Sequence, residues 1–286
     1  MQDEIFNLYK NCFSYFSQKD ITVQNIIADY NNHIFTYTIN KKIVGVSIIN
    51  KNVIYLLCVD KKYRNMGIGS KLLYDSEEYI FSKGYDEINI GAGDNYIFPG
   101  IPMNDGMHNF FKKKGYFHAW GDCGCYDMSL DLHDFNYFEH NLNDTINEVT
   151  YRYANESDID RVLFAVNEAE KDFVPYYTNP QLYTKNTQTP VLIAETNNEI
   201  AGAIMLDVGT NIPDEGSVGC TITVPEYRNK GIASTMVRIA TKQLKKNNLK
   251  KAFLEYTYTY ILNIYGRSGY KVCMEYFMAK KLLSQS

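Results

Sequence analysis

Val59-Asp60-Lys61-Lys62-Tyr63-Arg64-Asn65-Met66-Gly67-Ile68-Gly69-Ser70 recurs later as Thr223-Val224-Pro225-Glu226-Tyr227-Arg228-Asn229-Lys230-Gly231-Ile232-Ala233-Ser234. Arg64 and Arg228 stand 164 residues apart, and the offset holds along both stretches. A repeat of this kind sets the architecture before any single element is assigned. Upstream of each copy lie two apolar runs joined by a polar turn: residues 34–39 and 43–49 around Asn40-Lys41-Lys42, and residues 191–195 and 200–206 around Asn197-Asn198-Glu199. Each pair reads as a β-hairpin. A third strand follows, over residues 53–59 or 218–223, and it feeds the glycine stretch.

Downstream of each glycine stretch the apolar positions take helical spacing: Ile68, Leu72, Leu73, Tyr79 and Ile80 in one copy, Ile232, Met236, Ile239, Ala240 and Leu244 in the other. Turns at Lys83-Gly84 and Asn247-Asn248 end these helices. A fourth strand (residues 87–90 or 252–256), a short helix ending at Gly115-Tyr116 or Gly269-Tyr270, and a last strand or strand pair complete each copy. The starts differ. Residues 149–153 read as a strand before a helix capped by Asn155, whereas the first half opens directly on a helix with Ile5, Leu8, Tyr9, Cys12, Phe13 and Phe16 on one face. The polar stretch from His133 to Asn147 reads as the linker, which places the boundary near residue 145 and the domains at 1–145 and 146–286.

A strand that runs through a glycine turn into a helix aims several backbone N–H groups and the helix dipole at one point. Glycine leaves room for an anion, and an arginine beside it adds charge-assisted bonds to phosphate oxygens. Each copy therefore reads as a pyrophosphate cradle. A Walker loop would need Gly-Lys-Ser/Thr, which neither copy has, and a dinucleotide fingerprint would need a small residue where Leu72 stands. The competing reading is a glycine turn that holds nothing, and the recurrence in one strand–loop–helix context argues against it.

Composition agrees with a soluble globular chain: 286 residues, 45% apolar, 22% charged, net charge −4. The mild negative charge argues against nucleic acid as main partner and permits a cationic or amine substrate. Neither a leader-like apolar stretch at the start nor a run of membrane-spanning length is visible, so a cytoplasmic protein with no membrane partner is expected. The six cysteines form no zinc pattern, and no metal site is expected. Tyrosine is abundant, with 25 copies.

On these loops and their context, both halves resemble the GCN5-related N-acetyltransferase (GNAT) family over nearly the whole chain. The resemblance implies an α/β fold of two tandem acyl-CoA N-acyltransferase domains, each a mixed, mostly antiparallel sheet with helices on both faces. It implies acetyl-CoA as cofactor, held by Arg64, Asn65, Met66, Gly67, Ile68, Gly69 and Ser70, and by Arg228, Asn229, Lys230, Gly231, Ile232, Ala233 and Ser234. The strand before each loop would splay from the next, so that the backbone of Leu57-Cys58-Val59 or Thr221-Ile222-Thr223 pairs with the pantetheine arm. It also implies direct attack by an amine in a ternary complex. The tandem copies resemble two-domain members such as mycothiol synthase, whose halves need not both be active.

The family's tyrosine acid falls on Tyr265, four residues before Gly269, although its asparagine position holds Tyr258. In the first copy Asn104 is in place but the tyrosine position is Phe111, which has no proton to give. That copy is also longer, through Asn95-Tyr96-Ile97-Phe98-Pro99-Gly100-Ile101-Pro102, a loop that either shapes a pocket or covers the sheet. Glu255 is the candidate base, against the alternative of an exposed strand carboxylate; Asp94 and His108 are the weaker counterparts in the first half. Tyr256, Tyr258 and Tyr260 alternate as one strand face would, and core packing or a pocket wall accounts for them equally. Lys245 and Lys246 read as a solvated helix end. The expected reaction is acetyl transfer to a primary amine of a small molecule or peptide, with Tyr265 as acid. The rival is a non-catalytic acyl-CoA-binding or scaffolding protein.

Overall fold

The computed structural model of the chain describes residues 1–14, 19–92, 96–104, 106–136, 138–209 and 212–283. In chain order it runs through α1 (Gln2–Cys12), α2 (Asp20–Ala28), β1 (His33–Ile39), β2 (Lys42–Asn50), β3 (Val53–Val59), α3 (Ile68–Ser82), β4 (Glu87–Ile90), β5 (Ile101–Pro102), α4 (His108–Lys112) and β6 (Phe117–His118). Then come β7 (Cys125–Asp131), β8 (Thr145–Ile146), β9 (Val149–Tyr153), α5 (Ile159–Glu170), α6 (Val174–Tyr177), β10 (Val191–Thr196), β11 (Glu199–Asp207) and β12 (Glu215–Thr223). The chain finishes with α7 (Ile232–Lys246), β13 (Lys251–Tyr258), α8 (Leu262–Gly266), β14 (Lys271–Phe277) and β15 (Ala279–Leu282).

Two compact units result, one of Met1–Cys125 with Met274–Ser286, the other of Tyr126–Cys273. The division differs from the linear boundary near residue 145 because strands at the ends of the two repeats are exchanged. In the first unit the sheet runs β1-β2-β3-β4-β15-β6, so its fifth strand comes from the end of the chain. Lys280, Lys281 and Leu282 pair antiparallel with Asn89, Ile88 and Glu87, and Phe277 and Ala279 join the core around Ile88, Ile90, Phe111 and Tyr116. In the second unit the sheet includes β7-β13-β12-β11-β10-β9-β8. Met128 and Leu130 of β7 are buried there with Met236, Ile239 and Leu244 of α7.

The segment read as a linker belongs to the second unit. Leu132 and Phe135 are buried in its core, and α7 binds its backbone: Lys242 Nζ donates to the carbonyls of Phe138 and His140, and Lys245 Nζ to those of Phe135 and His133. Lys242, half-buried, is thus a strap, while Lys245 keeps the exposure its sequence position indicates and adds two longer contacts.

The repeat is visible in local geometry. Both hairpins turn on two left-handed residues, Asn40 and Lys41 (φ 48° and 64°) and Asn197 and Asn198 (φ 50° and 63°), a combination that matches strand twist and favours asparagine. Alternation along β10 sends Leu192 and Ala194 into the core under α7, and Val191 and Ile193 into the core under α5 and α6. The first unit opens on α1, as the sequence indicates, with Ile5, Leu8, Tyr9 and Cys12 buried and the helix packed on β2 and β3.

Candidate functional site

The site is built where a strand ends and a helix begins. In the second unit β12 ends at Thr223, a short turn over Pro225–Tyr227 follows, and Asn229 and Gly231 take left-handed backbone (φ 62° and 80°) before α7 starts at Ile232. In the first unit β3, the turn over Lys61–Tyr63, Asn65 (φ 64°), Gly67 (φ 83°) and α3 repeat this path. No side chain caps either helix, so the N–H groups of each first turn remain open to an anion. A Cβ added at Gly67 or Gly231 would meet nothing within 4 Å, so positive φ, and not crowding by the protein, requires glycine there.

Each arginine also holds its own loop. Arg64 Nε donates to the Val59 carbonyl at 3.1 Å and Arg228 Nε to the Thr223 carbonyl at 3.1 Å, while an Arg228 terminal nitrogen reaches the Ala169 carbonyl at the end of α5 (3.4 Å). The motif alone assigns these side chains to phosphate and gives no sign of this second role.

Beside each loop two parallel strands part. The β12–β13 register runs from Glu215↔Lys251 to Ser217↔Phe253, and that of β3–β4 covers Val53↔Asn89 and Ile54↔Ile90. A cleft of about 720 Å3 opens beyond the β12–β13 pairing. Thr221, Ile222, Thr223, Arg228, Asn229, Gly231, Ile232, Ala233, Ser234 and Tyr265 line it, whereas Lys230 and Glu255 are not among its lining residues. Lys230 Nζ lies over the Tyr227 ring, 5.1 Å from its centre, and Glu255 is half-buried on β13. Thr223 Oγ1 is buried without a hydrogen-bond partner at the end of the strand. An open helix terminus, free space at Gly231, a parted strand and an orphaned hydroxyl together fit the phosphate and amide groups of a CoA-like ligand.

Tyr265, on α8, is 4% exposed, and its hydroxyl lies 3.0 Å from Thr221 Oγ1. Burial pushes its phenol up to about 12, so it keeps its proton at neutral pH. Its ring meets Tyr270 edge-on at 6.0 Å, and the Tyr270 and Thr241 hydroxyls are 3.0 Å apart. The first unit repeats this packing with the hydroxyl missing: Phe111 meets Tyr116 edge-on at 5.7 Å, and Tyr116 donates to Glu77, the counterpart of Thr241. Burial, and after it the Glu77 carboxylate, raise the Tyr116 phenol far above its ordinary value. Leu57, Cys58 and Val59 stand on β3 beside the first loop; Cys12 Sγ of α1 donates to the Val59 carbonyl at 3.5 Å. Met66 is exposed, and Ile68, Gly69 and Ser70 open α3. A Cβ at Gly69 would lie 3.7 Å from Phe110 and from Val59.

The inserted loop packs on the sheet. Ile97, Phe98 and Ile101 are buried, and Phe98 O accepts from Ala92 N at 2.9 Å; Asp94 and Asn95 lie outside the described residues. His108 is half-buried, with Nδ1 buried and unpartnered beside Phe277. The tyrosine run does not form one strand face: Tyr256 is left-handed (φ 56°), which breaks the alternation, and Tyr258 and Tyr260 stack at 5.5 Å and line the cleft. Ala169, Glu170 and Phe173 also line it and escape sequence reasoning, since only the fold brings the end of α5 to this place.

Residues 3–96 match the family described as acetyltransferase (GNAT) domain, and residues 155–270 match that described as acetyltransferase (GNAT) family. No curated protein matches by sequence. Among solved structures, the chain is similar to the GCN5-related glucosamine N-acetyltransferase region of a fungal multi-domain GH3 β-N-acetylglucosaminidase (TM-score 0.78, 18% identity), covering 98% of this chain but only 36% of that one. It is also similar to a GCN5-related N-acetyltransferase from Sphaerobacter thermophilus (TM-score 0.72, 15% identity, 99% and 93% of the two chains). A tandem GNAT protein from the clavulanic acid biosynthesis pathway is a third (TM-score 0.66, 12% identity, 100% and 95%). At such identities the likeness is one of fold. With two family matches in tandem on two copies of one strand–loop–helix site, the chain belongs to the GNAT family as a tandem two-domain member.

Proposed function

We propose that the chain is an acyltransferase that moves an acetyl group from acetyl-CoA to a primary amine of a small molecule or peptide, and that the second unit does the chemistry. The observation that carries this reading is the Tyr265 hydroxyl, buried and held 3.0 Å from Thr221 Oγ1 in the cleft that leads from the Gly231 loop. When bound, acetyl-CoA supplies an activated thioester. The N–H groups at Gly231–Ser234 hold its pyrophosphate, and the open edge of Thr221–Thr223 takes the amide arm. Tyr265 donates a hydrogen bond to the departing sulfur. With its pKa near 12 it is a weaker acid than a thiol of about 8.5. It therefore passes its proton on only as it regains one from the attacking nitrogen, which becomes acidic as the new bond forms.

Glu255, acting through water, takes the proton that turns the arriving ammonium into a free amine, with the cleft-lining Glu170 as the competing carboxylate; comparing Glu255→Gln with Glu170→Gln in pH–rate profiles separates them. The net charge of −4 and the absence, among described residues, of a helix long and apolar enough to cross a membrane support a small amine acceptor in the cytoplasm. For the first unit Phe111 favours a second reading, acyl-CoA binding without turnover. Thiol release from acetyl-CoA over a panel of amines tests the proposal. Amine-dependent release that Tyr265→Phe suppresses supports it; CoA binding with no release on any amine overturns it in favour of the scaffolding role.

A further inference from the structure

We infer that Tyr177 and Asp127 are positioning residues that clamp the two lips of the slot between β12 and β13, so that the second unit's site is completed by β7, a strand that precedes the linker in sequence. The inference rests on the proposed reading only in taking that slot as the seat of the acyl-CoA arm.

Continuing the parallel register beyond Ser217↔Phe253 brings Cys220 level with Tyr256. Both are left-handed, at φ 47° and 56°, and neither is glycine. L-residues avoid this region unless their surroundings impose it, and a left-handed residue inside a strand turns it away from its neighbour. Two such residues facing each other three positions past the last pair account for the parting of the strands. On β12 the register with β11 also shifts here, between Ala203↔Ile222 and Met205↔Gly219.

Each lip is held by a buried side chain from a different element. The Tyr177 hydroxyl donates to the Cys220 carbonyl at 2.5 Å; Tyr177 is fully buried, and its own carbonyl accepts from the Tyr183 hydroxyl at 2.9 Å. On the other lip Asp127, 1% exposed, accepts from Tyr256 N at 3.0 Å. A carboxylate that deep is costly to desolvate and is tolerated where it meets a specific donor. Cys220 immediately precedes Thr221, whose Oγ1 orients Tyr265, so a tilt at the first clamp reaches the proposed acid directly.

The first unit supplies an internal comparison. Ala92, the counterpart of Tyr256 at the 164-residue offset, is also left-handed (φ 59°), but its N–H is taken by Phe98 O of the inserted loop at 2.9 Å. Leu56, the counterpart of Cys220, is not left-handed. The same backbone turn on one lip is thus kept by a different clamp.

The test uses the full chain carrying Gly67→Asp, so that CoA binding reports the second loop. Tyr177→Phe, Asp127→Leu and Asp127→Asn are compared for CoA affinity by calorimetry, kcat and KM by thiol release, and Tm. Tyr177→Phe and Asp127→Leu are expected to weaken CoA binding and lower kcat per folded molecule, each about five- to tenfold, well below Tm. Asp127→Asn, which keeps an acceptor oxygen, should recover most of both. Affinity and kcat within twofold of the parent for Tyr177→Phe and Asp127→Leu overturn the inference, as does a loss in Asp127→Asn equal to that in Asp127→Leu. If Asp127→Leu does not fold, Tyr177→Phe decides alone. If the parent binds CoA but turns over no amine, the proposed function fails while the affinities still judge the clamps.

Discussion

Arg228 Nε donates to the carbonyl of Thr223 across the turn that joins strand to helix, and Arg64 makes the same bond to Val59 in the first unit, each at 3.1 Å. The guanidinium thereby fixes the loop as well as contributing charge. Lysine keeps the charge but not the planar fork. Arg228→Lys is expected to weaken CoA binding about fivefold, on the order of 1 kcal/mol for one solvent-accessible charge-assisted bond. Calorimetry at two salt concentrations checks this; a purely electrostatic arginine would show no loss on lysine substitution.

The glycines that start α3 and α7 predict two CoA sites per chain. Gly67→Asp and Gly231→Asp place a carboxylate where pyrophosphate is expected, and each should abolish one site. Gly231→Ala meets no atom but must hold φ near 80°, at roughly 1–2 kcal/mol. Its effect should appear mainly in Tm. A stoichiometry of one that survives Gly67→Asp removes the first site from the scheme.

Tyr265→Phe should lower kcat by about 10²–10⁴ with CoA affinity nearly unchanged, because one hydroxyl is lost and the ring packing on Tyr270 stays. Phe111→Tyr should add little, since β3 offers Leu57 where β12 offers Thr221. The phenol of Tyr265 is raised by burial from 10.0 to about 12. Its contribution to stability is complete below pH 10 and is lost as pH rises from there through 12. Tyr265→Phe should therefore flatten the fall in stability across that alkaline window, read by chemical denaturation at stepped pH.

On the acidic side, Arg152 binds Asp158 with two nitrogens (2.7 and 2.9 Å) and Glu195 with the third (2.9 Å). The hydrogen bonds from Arg152 hold both carboxyls below their ordinary values. Their stabilisation is present above about pH 4 and is lost as pH falls through the lower folded values. Asp158→Asn, at a side chain only 2% exposed, should cost about 3 kcal/mol at neutral pH and make acid unfolding shallower.

The parts legible in the sequence are those fixed by local chemistry. Asn40-Lys41 and Asn197-Asn198 announce tight hairpins, Gly67 and Gly231 announce helix starts, and Phe111 is visible as a lost hydroxyl. What escaped is what depends on distant chain. Tyr177 and Cys220 are 43 residues apart, and Asp127 and Tyr256 are 129 apart. No periodicity marks such pairs. The strand exchange was hidden for a related reason: β7 and β15 carry the pattern of ordinary sheet strands, and that pattern does not say which sheet receives them. The strand position of Glu255 is legible, but not that the cleft lining omits it, because the left-handed turn at Tyr256 breaks the alternation that a strand pattern assumes.

The exchange of β15 inverts the order in which the units can mature during synthesis. Residues 126–273 are all synthesised before Ala279–Leu282, so the later half has its whole chain before the earlier half does. Until then β4 of the earlier half shows an unpaired edge at Glu87–Asn89, where Leu282, Lys281 and Lys280 will dock. Such an edge is a template for pairing with another chain. A truncation just before Ala279 would thus expose the β4 edge of the N-terminal half to aggregation while every residue of the second unit is kept.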